Sequence, residues 1–139
     1  MLPTKLQLQI VSAERSLVDE TVDEVEIPGA DGYFGVLPGH TPLLALLQVG
    51  ELWYRQGEEK HYLLIAFGFA EVQPDRVTIL AETAEHAHEI DIARAEAAVK
   101  RAEQRVMSPH LDHDLERARI AMMKALIRLQ VASRARIRS

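Results

Sequence analysis

The chain contains no cysteine. Disulfide cross-links and thiolate chemistry are excluded, so stability has to come from packing. Aromatic residues make up only 5% of the 139 positions, which leaves a core to be assembled from Leu, Ile, Val and Ala. No apolar run approaches the ~20 residues that a membrane helix requires. The longest block, Leu43-Leu44-Ala45-Leu46-Leu47, has the length of a strand. The opening MLPTKLQLQIV lacks the apolar block of a secretory signal. No direct membrane insertion is therefore expected. The P-loop, the G-x-G-x-x-G turn and the G-x-S-x-G elbow are also missing. No catalytic residue can be named, and an enzyme is not expected.

Acid is missing from one region. From Arg117 onward there are 7 Lys or Arg residues and no Asp or Glu. Residues 1–84 show the opposite balance, with 5 basic against 13 acidic residues, a net of −8. Residues 85–139 carry 11 against 8, a net of +3, which completes the whole-chain −5. The first part repels polyanions. A basic stripe without stacking aromatics or a recognition-helix pattern is no nucleic-acid footprint, so nucleic acid is not an expected partner.

The first part is punctuated like a β protein. KLQLQIV alternates Leu6, Leu8 and Ile10 with Lys5, Gln7 and Gln9, a period of two with one buried face. DEVEIPG puts Val25 and Ile27 on one face before a Pro-Gly stop. KHYLLIAF is rich in strand formers. In FAEVQPDRVTIL, Ala70 and Val72 lead into a Gln-Pro-Asp turn, followed by Val77 and Ile79, which predicts a hairpin. Short strands with frequent turns and no helix between them predict an N-terminal antiparallel β-sandwich over residues 1–84.

The texture changes after Leu80. From Glu89 onward Ala, Glu, Arg and Lys dominate, all good helix formers. Ala95, Ala98, Val99, Ala102 and Val106 recur at helical spacing and form a first, mostly alanine stripe. Ser108-Pro109 predicts a stop, and Asp112 or Asp114 the cap of a second helix over about 115–134. That helix has two apolar stripes: Leu115, Ala118, Met122, Leu126 and Leu129 on one side, Ile120, Met123, Ile127 and Val131 nearly opposite. The expected domain over 85–139 is thus a C-terminal α-helical hairpin whose second helix has more than one surface to cover.

His86 and His88 are two apart, which on a helix separates their faces, and His110 and His113 fall in the break between helices. No zincin or cupin spacing occurs, so no metal is expected. The stretch EIDIARAEAAVKR, residues 89–101, lines an alanine seam with Asp91, Arg94 and Arg101. The spacing leaves two readings open: Asp91–Arg94 pairing at i, i+3, or a ligand held along the edge.

The loop GYFGVLPGHTP resembles the G-x-x-G-x-L-P-G-H-x-P pattern of the epsilon subunit of bacterial F-type (rotary) ATP synthases. Gly32, Gly35, Leu37, Pro38, Gly39, His40 and Pro42 carry the match. GFAEVQPDRVTILAE is similar to that family's hairpin, and the likeness extends over essentially the whole chain. One departure is Phe67-Gly68-Phe69, where many members carry Gly-Gly. The resemblance implies a sandwich of about ten strands docked on the gamma subunit and the c-ring. It assigns Gly35, Leu37, Pro38, Gly39, His40 and Pro42 to partner contact. It also implies a helical hairpin that inhibits ATP hydrolysis by reaching the alpha and beta subunits, with Arg117, Lys124 and Arg128 facing an acidic partner loop. The implied protein is a non-catalytic central-stalk subunit on the cytoplasmic face of the bacterial plasma membrane, peripheral and coupled to proton flow.

Some members bind ATP at an [IL]-D-x-x-R-A motif. Ile90, Asp91, Arg94 and Ala95 match it here, and the resemblance adds Glu85, Arg101, Lys124 and Arg128. Lys124 stands where the ATP-binding members have Arg; it keeps the charge and lacks the planar fork that grips phosphate. No cofactor is required on this reading, and ATP is a regulatory ligand. The competing reading is a free-standing small-ligand-binding β domain with a helical lid.

Overall fold

A computed structural model describes residues 2–107 and 112–138. The chain divides into two compact units, Met1–His86 and Ala87–Ser139. The first contains seven strands: β1 Leu6–Ser12, β2 Ser16–Val22, β3 Glu24–Gly29, β4 Gly32–Val36, β5 Leu43–Gln56, β6 Glu59–Gln73 and β7 Arg76–His86. They form one sheet in the order β2-β1-β7-β6-β5-β3-β4. Every pair is antiparallel except β1–β7, which is parallel. The implied ten strands are seven, because β5 and β6 are single ladders of 14 and 15 residues where shorter pieces were expected.

The period-two reading holds. Leu6, Leu8, Ile10, Val25, Ile27, Val77 and Ile79 are all fully buried in one core with Leu52, Leu63 and Ile65. The predicted hairpin is the β6–β7 ladder, closed at Gln73↔Arg76 over Pro74 and Asp75. The sheet folds back on itself. β2 and β5 are four places apart in strand order, yet the Gln56 amide donates to the Glu20 carboxylate at 2.9 Å and to the Thr21 carbonyl at 3.1 Å. At the same corner the Asp23 carboxylate accepts from Lys5 and, at 2.7 Å, from the Gly57 N–H. Arg55 lies 3.6 Å from Asp23 and donates to Glu24 at 2.8 Å.

Lys5 and the Gly57 N–H hold the Asp23 carboxyl below its ordinary value of 3.8. A depressed carboxyl contributes stability that is present above the unfolded value and lost as pH falls through the folded one. Urea midpoints followed downward from neutral pH should therefore show an acid-side decline, steepest below about 3.8, that is shallower in Asp23→Asn. An identical decline in both proteins would remove Asp23 as its source.

β6 carries a kink that sequence spacing did not predict. Phe67 has φ 63° and Gly68 φ 121°. The ladders to both neighbours keep their register across it, Ala66 facing Val49 and Thr83 and Gly68 facing Leu47 and Ala81, and only the pairing at Phe67 itself is interrupted. Phe67 thus holds a left-handed backbone uncommon for a residue with a side chain, and Gly68 follows in a conformation that suits glycine.

The second unit begins with a 3-10 turn, Ala87–Glu89, followed by α1 Ile92–Met107 and α2 Asp112–Arg138. The first helix therefore starts three residues later than its composition implied. Asp91 is the reason: its side chain accepts the Arg94 N–H at 3.1 Å, and its carbonyl accepts the Ala95 N–H at 3.0 Å, so it is an N-cap. The stop expected at Ser108-Pro109, and His110, lie outside the described residues, as do the side chains of Asp112, His113 and Asp114.

α1 and α2 pack against each other. Ala95 and Ala102 are buried on α1; Ala118, Ala125, Val131 and Ala132 are buried on α2. Ala118, Ala125 and Ala132 repeat every seven residues and follow neither predicted stripe throughout. Sequence reading weighted the large side chains, whereas two helices in close contact select the smallest. Met123 and Leu126, one from each predicted stripe, remain 46% and 48% exposed.

Candidate functional site

One face of the sandwich leaves large apolar side chains uncovered. Leu46 pairs with Phe69, and Phe69 with Leu80, across β5, β6 and β7. Val11 on β1 extends the row beside Leu80. Strand alternation sends their neighbours Leu47, Ala70 and Ile79 into the core and these three outward. Leu46 is 60% exposed, Phe69 49% and Leu80 51%, and Leu44, two residues before Leu46, is 71% exposed. Single exposed leucines are ordinary on a protein surface, whereas a hydrogen-bonded row of them is a contiguous patch. Sequence reading missed it, although the signal was there: Leu46, Phe69 and Leu80 are apolar at positions out of phase with the core.

A cleft of about 560 Å³ adjoins the row and shares Leu44 and Leu46 with it; Asp31, Tyr33 and Phe34 line its other side. The distinctive loop lies past the end of β4. Its backbone is tied down by the Gly39 N–H donating to the Pro74 carbonyl at 2.7 Å and by a Leu37–His40 turn at 3.1 Å. Gly39 has φ 89° and its left-handed backbone explains the glycine. Gly32 is also left-handed, with φ 131°. Gly35 is not; it lies in β4 opposite Glu26, whose carboxylate would be 3.2 Å from an added Cβ. His40 uses Nδ1 to bond the Thr41 carbonyl at 2.6 Å, so the ring braces its own loop. Leu37 is 56% exposed, and Pro42 is exposed as well.

In the second unit the motif residues cluster at the start of α1. Ile90 and Ala95 are buried, Asp91 caps the helix, and Arg94 is exposed. Arg101, seven residues on, is also exposed, about 10 Å along the axis. On α2, Arg117 is exposed, while Lys124 and Arg128 are half-buried and already engaged within the folded chain. Glu85 lies on β7, in the first unit, and is engaged as well. His86 ends β7 and His88 sits in the 3-10 turn, so neither is helical in the α sense assumed for them. Among the described residues, no three His, Asp or Glu side chains are grouped as metal ligands. No helix among them is long and apolar enough to cross a membrane.

A sandwich with an uncovered apolar row, joined to a helical hairpin, has the anatomy of a subunit made to be held in a larger assembly. The family model described as the ATP synthase delta/epsilon chain β-sandwich domain matches residues 5–87, and the one described as its long α-helix domain matches residues 88–133. The chain is 48% identical over 132 residues to ATP synthase epsilon chain 2 of Syntrophotalea carbinolica, covering 94% of this chain and 95% of that one. It is 50% identical over 127 residues to the ATP synthase epsilon chain of Herpetosiphon aurantiacus, covering 91% and 93%. A chain in the Euglena gracilis mitochondrial ATP synthase OSCP/F1/c-ring structure superposes with a TM-score of 0.82 at 25% identity, covering 99% and 84%. The chain belongs to the ATP synthase delta/epsilon family, as a non-catalytic epsilon-type subunit of the F-type complex.

Proposed function

We propose that the sandwich docks on the rotor of an F-type ATP synthase, binding a gamma subunit and the c-ring, and so links the catalytic head to proton flow. The uncovered Leu46–Phe69–Leu80 row is the observation that carries this reading. The similar Euglena chain comes from an assembly containing F1 and a c-ring, which supports the choice of partners. On this reading the subunit sits at the cytoplasmic face of a bacterial plasma membrane, a peripheral part of the membrane-bound complex. The braced loop from Leu37 to Pro42, together with Gly35, supplies a second contact.

The helical unit restrains ATP hydrolysis by contact with the alpha and beta subunits, through Arg117, Lys124 and Arg128 on its acid-free helix. ATP binds the edge of α1, where Arg94 and Arg101 are exposed cations flanking the small side chains of Ala95 and Ala102, with Ile90, Asp91, Lys124 and Arg128 of the same unit as the further residues that the resemblance assigns to it. The Asp91 cap supports a rigid start to that edge.

Three measurements test docking, inhibition and ATP binding in turn. The chain and a purified gamma subunit should co-elute at micromolar concentration, and ATPase activity of the assembled complex should rise when residues 85–139 are removed. Millimolar ATP should raise the melting temperature by about 3 °C or more, the rise should vanish in Arg94→Ala, and Lys124→Arg should enlarge it. Failure of co-elution sinks the docking part; an unmoved melt sinks the ATP part and leaves docking intact.

A further inference from the structure

β7 loses one of its two neighbours before it ends. Its parallel pairing with β1 stops at Ser12↔Ala81, where β1 itself ends. Its antiparallel pairing with β6 continues to Leu63↔His86. Residues 82–86 are therefore an edge held by backbone pairing on one side. A single-sided strand end frays more readily than a doubly paired one, because each lost ladder bond removes protection against local opening.

On the open side a side chain takes over. The His86 ring meets the Leu17 carbonyl through Nε2 at 3.1 Å, across 69 residues of sequence. That carbonyl comes from the point where the β1–β2 register slips: Ile10 faces Val18, the next pair is Val11↔Ser16, and Leu17 is the extra residue between them. A bulged residue is left out of regular ladder pairing, so its carbonyl is free to turn toward another donor. The bulge and the histidine are thus two halves of one contact, both within the first unit.

Downstream the connection is short. The 3-10 turn starts at Ala87, and the Asp91 cap opens α1 at Ile92. Only residues 87–91 separate the end of β7 from α1. A device that fixes the end of β7 therefore fixes where the sandwich stops and the 3-10 turn begins.

We propose that His86 is a latch that ends the sandwich, holding the last residues of β7 against the β2 bulge and fixing the point at which the 3-10 turn of the second unit begins. The contact does not require a charged ring, since the Nε2–H tautomer donates to a carbonyl as the imidazolium does. It acts whether or not the helical unit moves, so it stands apart from the inhibitory reading.

Amide hydrogen exchange on the full chain tests it, comparing the natural sequence with His86→Ala and His86→Gln. In His86→Ala, exchange at residues 83–87 should speed up by roughly three- to tenfold, the scale of one hydrogen bond to a neutral acceptor, with β1 and β3 unchanged. His86→Gln, whose amide also donates, should recover part of the protection. Unchanged exchange at 83–87 in His86→Ala overturns the latch. A uniform rise across all strands overturns it too, because that is loss of general stability and not of a local tether. Full loss of protection in His86→Gln as well as in His86→Ala counts against the hydrogen bond as its basis.

Discussion

Gly68→Ala should cost the sandwich about 3–5 kcal/mol, the largest single-residue loss expected outside the core. Two separate effects combine. Gly68 has φ 121°, a conformation that side chains with a Cβ rarely adopt. A Cβ there would also strike the backbone of β7, meeting the Leu80 carbonyl oxygen, with the Ala81 Cα at 2.9 Å and the Leu80 carbon at 3.0 Å. Those atoms belong to a paired ladder and cannot turn aside as a flexible side chain would. Gly32→Ala is the internal control. Its φ of 131° is comparably unfavourable, but an added Cβ meets nothing within 4 Å. It should cost only the conformational part, about 1–2 kcal/mol. Urea titrations followed by the fluorescence of Trp53, the one tryptophan of the chain, report on the sandwich directly. Equal losses in the two variants would show that the β6 kink is set by φ alone and that the close approach to β7 relaxes without cost.

That glycine also marks where sequence reading reached its limit. The two-residue period in KLQLQIV and the Pro-Asp turn gave the strands and the β6–β7 hairpin, because alternation and turn chemistry are local properties. Strand order, the parallel β1–β7 pair and the left-handed kink at Phe67 depend on partners far away in the chain, and local pattern carries no record of them. The helical unit shows the same limit differently. Two stripes of large residues were legible on α2, yet the buried seam is Ala118, Ala125 and Ala132, chosen by how closely two helices approach. Asp91 was legible as a charge at the head of a helix; that it caps α1 emerged only with the hydrogen bond to Arg94. The loop motif was the most visible feature of the sequence, whereas the apolar row beside it was hidden because Leu46, Phe69 and Leu80 come from three strands.

Replacing Phe69 and Leu80 together by Asp should weaken binding to a gamma subunit at least about a hundredfold while leaving the sandwich folded. The magnitude follows from area. Fully burying a Leu or Phe side chain contributes roughly 1.5–3 kcal/mol. Phe69 and Leu80 are already about half covered, at 49% and 51% exposure, so docking gains about 1 kcal/mol from each. Asp adds the cost of dehydrating two carboxylates in the contact, which exceeds the lost apolar gain and brings the sum past 3 kcal/mol, or two decades in affinity. Folding should be affected little, since both side chains point away from the core and surface substitutions away from special backbone positions are mild. Two comparisons make the result decisive. Leu126→Asp changes an equally exposed apolar residue, 48%, on α2 and should leave binding within about threefold if the row is the docking surface. Leu37→Asp alters the braced loop and should cost less than the double change, because one side chain is removed from the edge of the contact and not two from its centre. Binding that survives Phe69→Asp/Leu80→Asp but fails with Leu37→Asp would move the docking site from the row to the loop.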